Sequence, residues 1–197
     1  MNGIARFVLI AAVLGGVYLY SSSDTDSPDD VDLNAVLDAT VNTLRVHQAS
    51  LEGQSAPDAD KAFADLANKL ETSYNAIHPP LYPSHVGVFA REDASMLAYN
   101  DKNGNDVVDD SEPALFMIEI DGENARVLAT GASGAVSEHH FSGTSLLAGY
   151  LIGSMLSRQR LAGVNPGTLA GKRPVTATAA RAAARSRAGS GSHSRGK

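Results

Sequence analysis

The sequence predicts an α+β protein in which a helical hairpin packs on a small antiparallel β-meander. Two stretches, 31–51 and 58–77, repeat apolar residues at helical spacing. Four short apolar-rich segments follow between residues 85 and 130, divided by polar turns. Pro79, Pro80 and Pro83 separate the two groups. An apolar N-terminal run and a basic C-terminal tail flank this core and read as a membrane helix and a disordered extension.

In chain order, Arg6 precedes a charge-free run, 7–23. Counted from Ile4 with Arg6 snorkelling, the apolar span 4–20 nears the lower limit for crossing a bilayer, roughly 17 residues. Tyr18 and Tyr20 suit an interfacial belt. Residues 1–23 therefore read as a retained signal anchor. The alternative is a cleaved signal peptide, for which Ser21 and Ser23 offer a weak site. The positive-inside rule, resting on Arg6, predicts a single-pass membrane protein with its body outside the cytoplasm. Residues 24–30, rich in Ser and Asp, form an acidic linker.

In the first helix Leu33, Leu37, Val41 and Leu44 make a stripe that Val36 widens. In the second, Phe63, Leu66, Leu70, Tyr74 and Ile77 share a face, with Asp58 or Asp60 as cap. Segments 85–91, 95–100, 114–120 and 125–130 are the predicted strands. In the third, Phe116, Ile118 and Ile120 make a wholly apolar face, and Leu115, Met117 and Glu119 a face that is only partly covered. Residues 31–138 thus form an acidic α+β domain.

Charge is segregated. All 22 acidic residues fall between Asp24 and Glu138, against six Lys/Arg there, a net of −16; nine Lys/Arg and no acid follow. The absence of cysteine excludes disulfides, thiolate metal sites and thiol nucleophiles. After residue 130 Gly, Ser and Ala dominate. A Gly-rich apolar segment, 139–160, holds a second charge-free run, 141–157. That run reads as a core or interfacial helix, a partner-binding helix using Gly149 and Gly153, or a second membrane span before Arg158 and Arg160. Residues 161–197 read as a disordered, solubilising basic tail; the alternatives are contact with anionic lipid, nucleic acid or an acidic polymer, without aromatics for base stacking, or folding back on the acidic body.

Residues 101–112, between the second and third strands, carry the chemistry. Oxygen-bearing side chains recur at the first, third, fifth, ninth and twelfth positions: Asp101, Asn103, Asn105, Asp109 and Glu112. Hard divalent cations take six to eight such ligands. The bland alternative is an Asn103-Gly104 hairpin turn whose acids face water. Over these twelve residues the chain resembles the calcium loop of EF-hand and dockerin-type proteins. The resemblance implies side-chain ligation by Asp101, Asn103 and Asn105, and a backbone carbonyl from Val107. It also implies Asp109, directly or through water, and a bidentate Glu112, with Val108 as the aliphatic anchor. It departs at Asp106, where the family uses Gly to reach positive φ, and at Pro113, which blocks an exiting helix. A weak Ca²⁺ site is expected, with Kd about 10⁻⁴ to 10⁻³ M.

Elsewhere, Glu138-His139-His140 reads as solvated, since neighbours on a strand point apart. His47, His78 and His85 read as isolated structural residues. Residues 167–172 are one residue short of a phosphate loop, and Arg173 stands where Ser or Thr is needed. No catalytic motif is present. The function expected is a non-enzymatic, membrane-anchored calcium-binding sensor or scaffold. The alternative is an assembly subunit working through 141–157 and the tail.

Overall fold

Two aspartates start the helical layer. Asp32 Oδ1 accepts the Asn34 and Ala35 N–H groups at 2.9 and 3.3 Å, and Asp58 Oδ1 accepts those of Asp60 and Lys61 at 2.9 and 3.0 Å. They cap helices α1 (Leu33–Leu51) and α2 (Ala59–Asn75) in a computed structural model that describes residues 31–53, 58–141 and 149–189. The strands are β1 (Val86–Ala90), β2 (Met96–Asn100), β3 (Ala114–Asp121), β4 (Arg126–Gly131) and β5 (Val136–His140), in a wholly antiparallel sheet ordered as in the chain. Helices α3 (Tyr150–Leu161), α4 (Pro166–Gly171) and α5 (Ala177–Gly189) follow.

One sheet face and the helical hairpin make the core. Register stacks Val88 on Ala98, Ala98 on Phe116, Met96 on Ile118, Ile118 on Ala129, and Ile120 on Val127. Leu37, Val41 and Leu44 of α1 join Phe63, Leu66 and Leu70 of α2 over this face. Burying each large apolar side chain contributes about 1.5–3 kcal/mol. The Tyr74 ring meets Phe116 edge-on at 5.2 Å. Its hydroxyl donates to Thr40 Oγ1 at 2.7 Å, while Thr40 donates to the Val36 carbonyl. Burial, offset in part by Thr40, pushes the Tyr74 phenol well above its ordinary range.

The outer edge of β1 is covered by α2. Asn75 Nδ2 donates to the Val86 carbonyl and Asn75 Oδ1 accepts the Val86 N–H, at 2.8 and 3.0 Å. Glu71 Oε2 accepts the Val88 N–H at 3.1 Å. These two side chains satisfy groups that would otherwise template pairing with another strand.

Several sequence expectations are corrected here. The meander has five strands, not four; β5 pairs with β4 along its whole length. Its side chains are only half-buried and Val136 is its one large apolar residue, so alternation did not mark it. Among the described residues no helix is long and apolar enough to cross a membrane. The apolar run 4–20 and the linker 24–30 lie outside the described residues, and the membrane-anchored architecture and single-pass placement are not retained. The second span fails on length: α3 has 12 residues, about 18 Å of helix against a hydrocarbon core of about 30 Å, and it carries Arg158 and Arg160.

Helix α3 packs on its own chain. Leu151, Ile152 and Met155 are buried, and Gln48 Oε1 accepts the Leu151 N–H at 2.9 Å, capping a helix whose N-cap is Gly149. A Cβ at Gly149 would collide with the Gln48 side chain, and one at Gly122 with Leu156. The face expected to meet a partner through Gly149 is therefore spent within the molecule; Gly153 has open space.

The tail up to Gly189 is not disordered. It crosses to the other sheet face, where Arg126, 3% exposed, gathers it. Arg126 Nε donates to Asp121 Oδ2 at 2.8 Å and Nη1 to Glu138. Nη2 donates to the carbonyls of Leu169, Ala170 and Lys172 at 3.0, 3.3 and 3.0 Å. Lys172 pairs with Glu119, and Val175 bridges Val136 through two 2.9 Å backbone bonds. Low complexity concealed this order because single long-range polar contacts supply it. Residues 190–197 lie outside the described residues.

Candidate metal centre

The β2–β3 connection is tethered at both ends. Asn100 N–H donates to the Pro113 carbonyl at 3.0 Å, and Asp101 N–H to the His85 carbonyl at 3.1 Å. The flanks are strands, as Pro113 requires.

The loop curls around its first and last carboxylates. Asp101 is 2% exposed and Glu112 7%. Asp101 Oδ1 accepts the N–H groups of Gly104 and Asn105 at 2.7 and 3.3 Å, and Oδ2 that of Asp106 at 3.1 Å. Glu112 Oε1 accepts the Lys102 N–H at 2.9 Å and Oε2 the Asp109 N–H at 3.2 Å. Neither carboxylate has an ion-pair partner among the described residues. Burying an anion costs several kcal/mol unless donors or a cation compensate; here five backbone N–H groups are the donors.

The sixth position resolves the main departure from the calcium-loop pattern. Asp106 sits at φ 56° and Gly104 at φ 67°, so the turn forms without glycine at residue 106. Asn103 Oδ1 accepts the Asn105 N–H at 3.0 Å, and Asn105 Oδ1 the Val107 N–H at 2.8 Å. Each of these oxygens keeps a second lone pair. Both Nδ2 groups turn to Asp109 Oδ2, at 2.8 and 3.2 Å. The Val107 side chain is exposed on the rim.

The donor set fits a hard cation in kind, and Asp101, Asn103, Asn105, Asp109 and Glu112 stand on one continuous loop. It does not fit without adjustment. The carboxylates of Asp101, Asp109 and Glu112 do not draw within 4.8 Å of one another; among the described residues, Glu71, His85 and Asp106 do. Both amide partners of Asp109 bond the same oxygen, Oδ2.

That second trio was not legible in the sequence, where His85 reads as isolated. Glu71 comes from α2, His85 precedes β1, and Asp106 belongs to the loop. His85 Nε2 lies 3.2 Å from Glu71 Oε1. Buried Tyr99 stands among these acids; a Cβ at Gly87 would collide with its ring. Burial first, then the charges of Asp101, Glu71, Glu112 and Asp106, push the Tyr99 phenol far above its usual value.

The Glu138-His139-His140 run is a strand whose neighbours diverge. Glu138 pairs with Arg126, and His140 Nε2 lies 3.3 Å from its other oxygen. His139 instead approaches Asp38 of α1 at 4.0 Å. His47 is buried, bonding the Ala62 carbonyl through Nε2 at 2.9 Å, a structural role.

No protein-family model, curated protein or solved structure matches this chain.

Proposed function

We propose that this chain is a non-enzymatic calcium-binding protein, a sensor or scaffold whose loop 101–112 takes the ion. The observation that carries the reading is the pair of buried carboxylates, Asp101 and Glu112. They close a twelve-residue loop with backbone N–H groups as their partners and, among the described residues, no ion pair to a cationic side chain. A divalent cation supplies the missing countercharge. Asp101, Asn103, Asn105 and Glu112 are its side-chain ligands, Asp109 joins them directly or through water, and Val107 offers its carbonyl. Because the loop joins β2 to β3 and is tethered to His85, ion binding stiffens the sheet edge that α2 covers.

The test is calorimetric titration of the full chain, dialysed against chelator, with Ca²⁺. Saturable uptake is expected with Kd about 10⁻⁴ to 10⁻³ M. At about 10 mM Ca²⁺ that stabilises the fold by about 1.4–2.7 kcal/mol, read as a chelator-reversible rise in melting temperature. Asp101→Asn with Glu112→Gln keeps hydrogen-bond acceptors but removes both charges, and is expected to abolish uptake. Unchanged uptake in that variant sinks the reading.

A further inference from the structure

We propose that Glu71, His85 and Asp106 form a second metal site, selective for a zinc-class transition dication and separate from the six ligands of the calcium loop. Their ligand atoms lie within 4.8 Å of one another, and they come from three different parts of the fold. An imidazole nitrogen with two carboxylates suits Zn²⁺, which takes N and O ligands in a tetrahedron and accepts water as the fourth. Calcium prefers oxygen throughout.

Three further features support a metal over a chance meeting of surface groups. The first is charge. Among the described residues, Glu71 and Asp106 converge without a Lys or Arg paired to either, leaving His85 as the one basic member of the cluster. The second is orientation. Glu71 Oε2 is fixed by the Val88 N–H at 3.1 Å, which leaves Oε1 directed at His85; ligating carboxylates are held in this way by outer partners. The His85 segment is fixed too, since its carbonyl accepts the Asp101 N–H. The third is residue choice. Glycine meets the backbone demand at residue 106 at no steric cost, yet the chain carries an aspartate there, and its carboxylate meets Glu71 and His85. A metal at this trio ties the calcium loop to α2.

The experiment titrates the full chain, cleared of metal, with Zn²⁺ by calorimetry, and with Co²⁺ by visible absorption as a coordination probe. Expected are one-site uptake and a cobalt band of low-coordinate N/O type. His85→Ala and Asp106→Gly are each expected to weaken Zn²⁺ uptake at least tenfold, the lower end of the range for lost metal-site groups. Asp106→Gly suits the left-handed turn, so it decides the matter if His85→Ala misfolds. Asp101→Asn with Glu112→Gln is expected to remove Ca²⁺ uptake and spare Zn²⁺, so the two sites fail separately. No Zn²⁺ uptake at 100 µM overturns the proposal. So does uptake that survives both His85→Ala and Asp106→Gly, or that is lost instead with His139→Ala and His140→Ala.

Discussion

Asp106 and Ala125 occupy the same left-handed region, at φ 56° and 52°, for different returns. Asp106 brings a carboxylate to Glu71 and His85. Ala125, in the β3–β4 turn, brings only a methyl group. An L-residue there costs roughly 1–2 kcal/mol, part of which glycine recovers after its greater unfolded-state entropy is counted. Ala125→Gly is therefore expected to stabilise the fold by about 0.5–1 kcal/mol, measured by urea unfolding. A loss of stability contradicts this account of the turn. At Asp106 the same substitution is expected to change metal binding more than stability.

Among the elements, α3 starts on a distant side chain. Gln48, on α1, caps the first turn of α3 through the Leu151 N–H, while Gln159 Nε2 fastens the last turn to the Ile120 carbonyl at 2.9 Å. Gln48→Ala strands a buried N–H, and a loss of about 1–3 kcal/mol is expected. Hydrogen exchange is expected to rise in 150–161 before it rises in α1; simultaneous opening contradicts this local role. Gly149 is likewise a packing residue, because Gln48 fills the space a side chain would need. Substituting Leu there tests the fold and not a partner.

For the molecule as a whole, Arg126 holds the segment 169–172 against the sheet. Arg126→Met leaves Asp121 buried without its cation, and breaking such a pair costs about 3–5 kcal/mol. Proteolysis near residues 165–176 is expected to accelerate by orders of magnitude; an unchanged rate rules out the latch. Acid acts on the same contact. Burial works against the charges of Asp121 and Glu138. Hydrogen bonds from Asn124 and Arg126 to the first, and from Arg126 and His140 to the second, outweigh it and hold both below their ordinary values. Their contribution is complete above the ordinary carboxylate range and is lost as pH falls through the lowered folded-state values. The full chain is expected to lose melting temperature as pH falls below about 4. Arg126→Met is expected to lose less of it over the same range.

The residues alone determined the helical hairpin, the central strands and the oxygen spacing of loop 101–112. Each of these is written in local order: a 3.6-residue stripe from Leu33 to Leu44, alternation at Phe116, Ile118 and Ile120, oxygen-bearing side chains at fixed spacing. Tertiary structure decided everything that depends on distance in space. It brought Glu71 and His85, fourteen residues apart, to Asp106. It ordered a tail without apolar periodicity through the Arg126 latch, and it spent the Gly149 face on Gln48. Periodicity and spacing report short-range geometry. A guanidinium buried under three carbonyls, or an imidazole between two carboxylates, exists only once the chain has closed on itself.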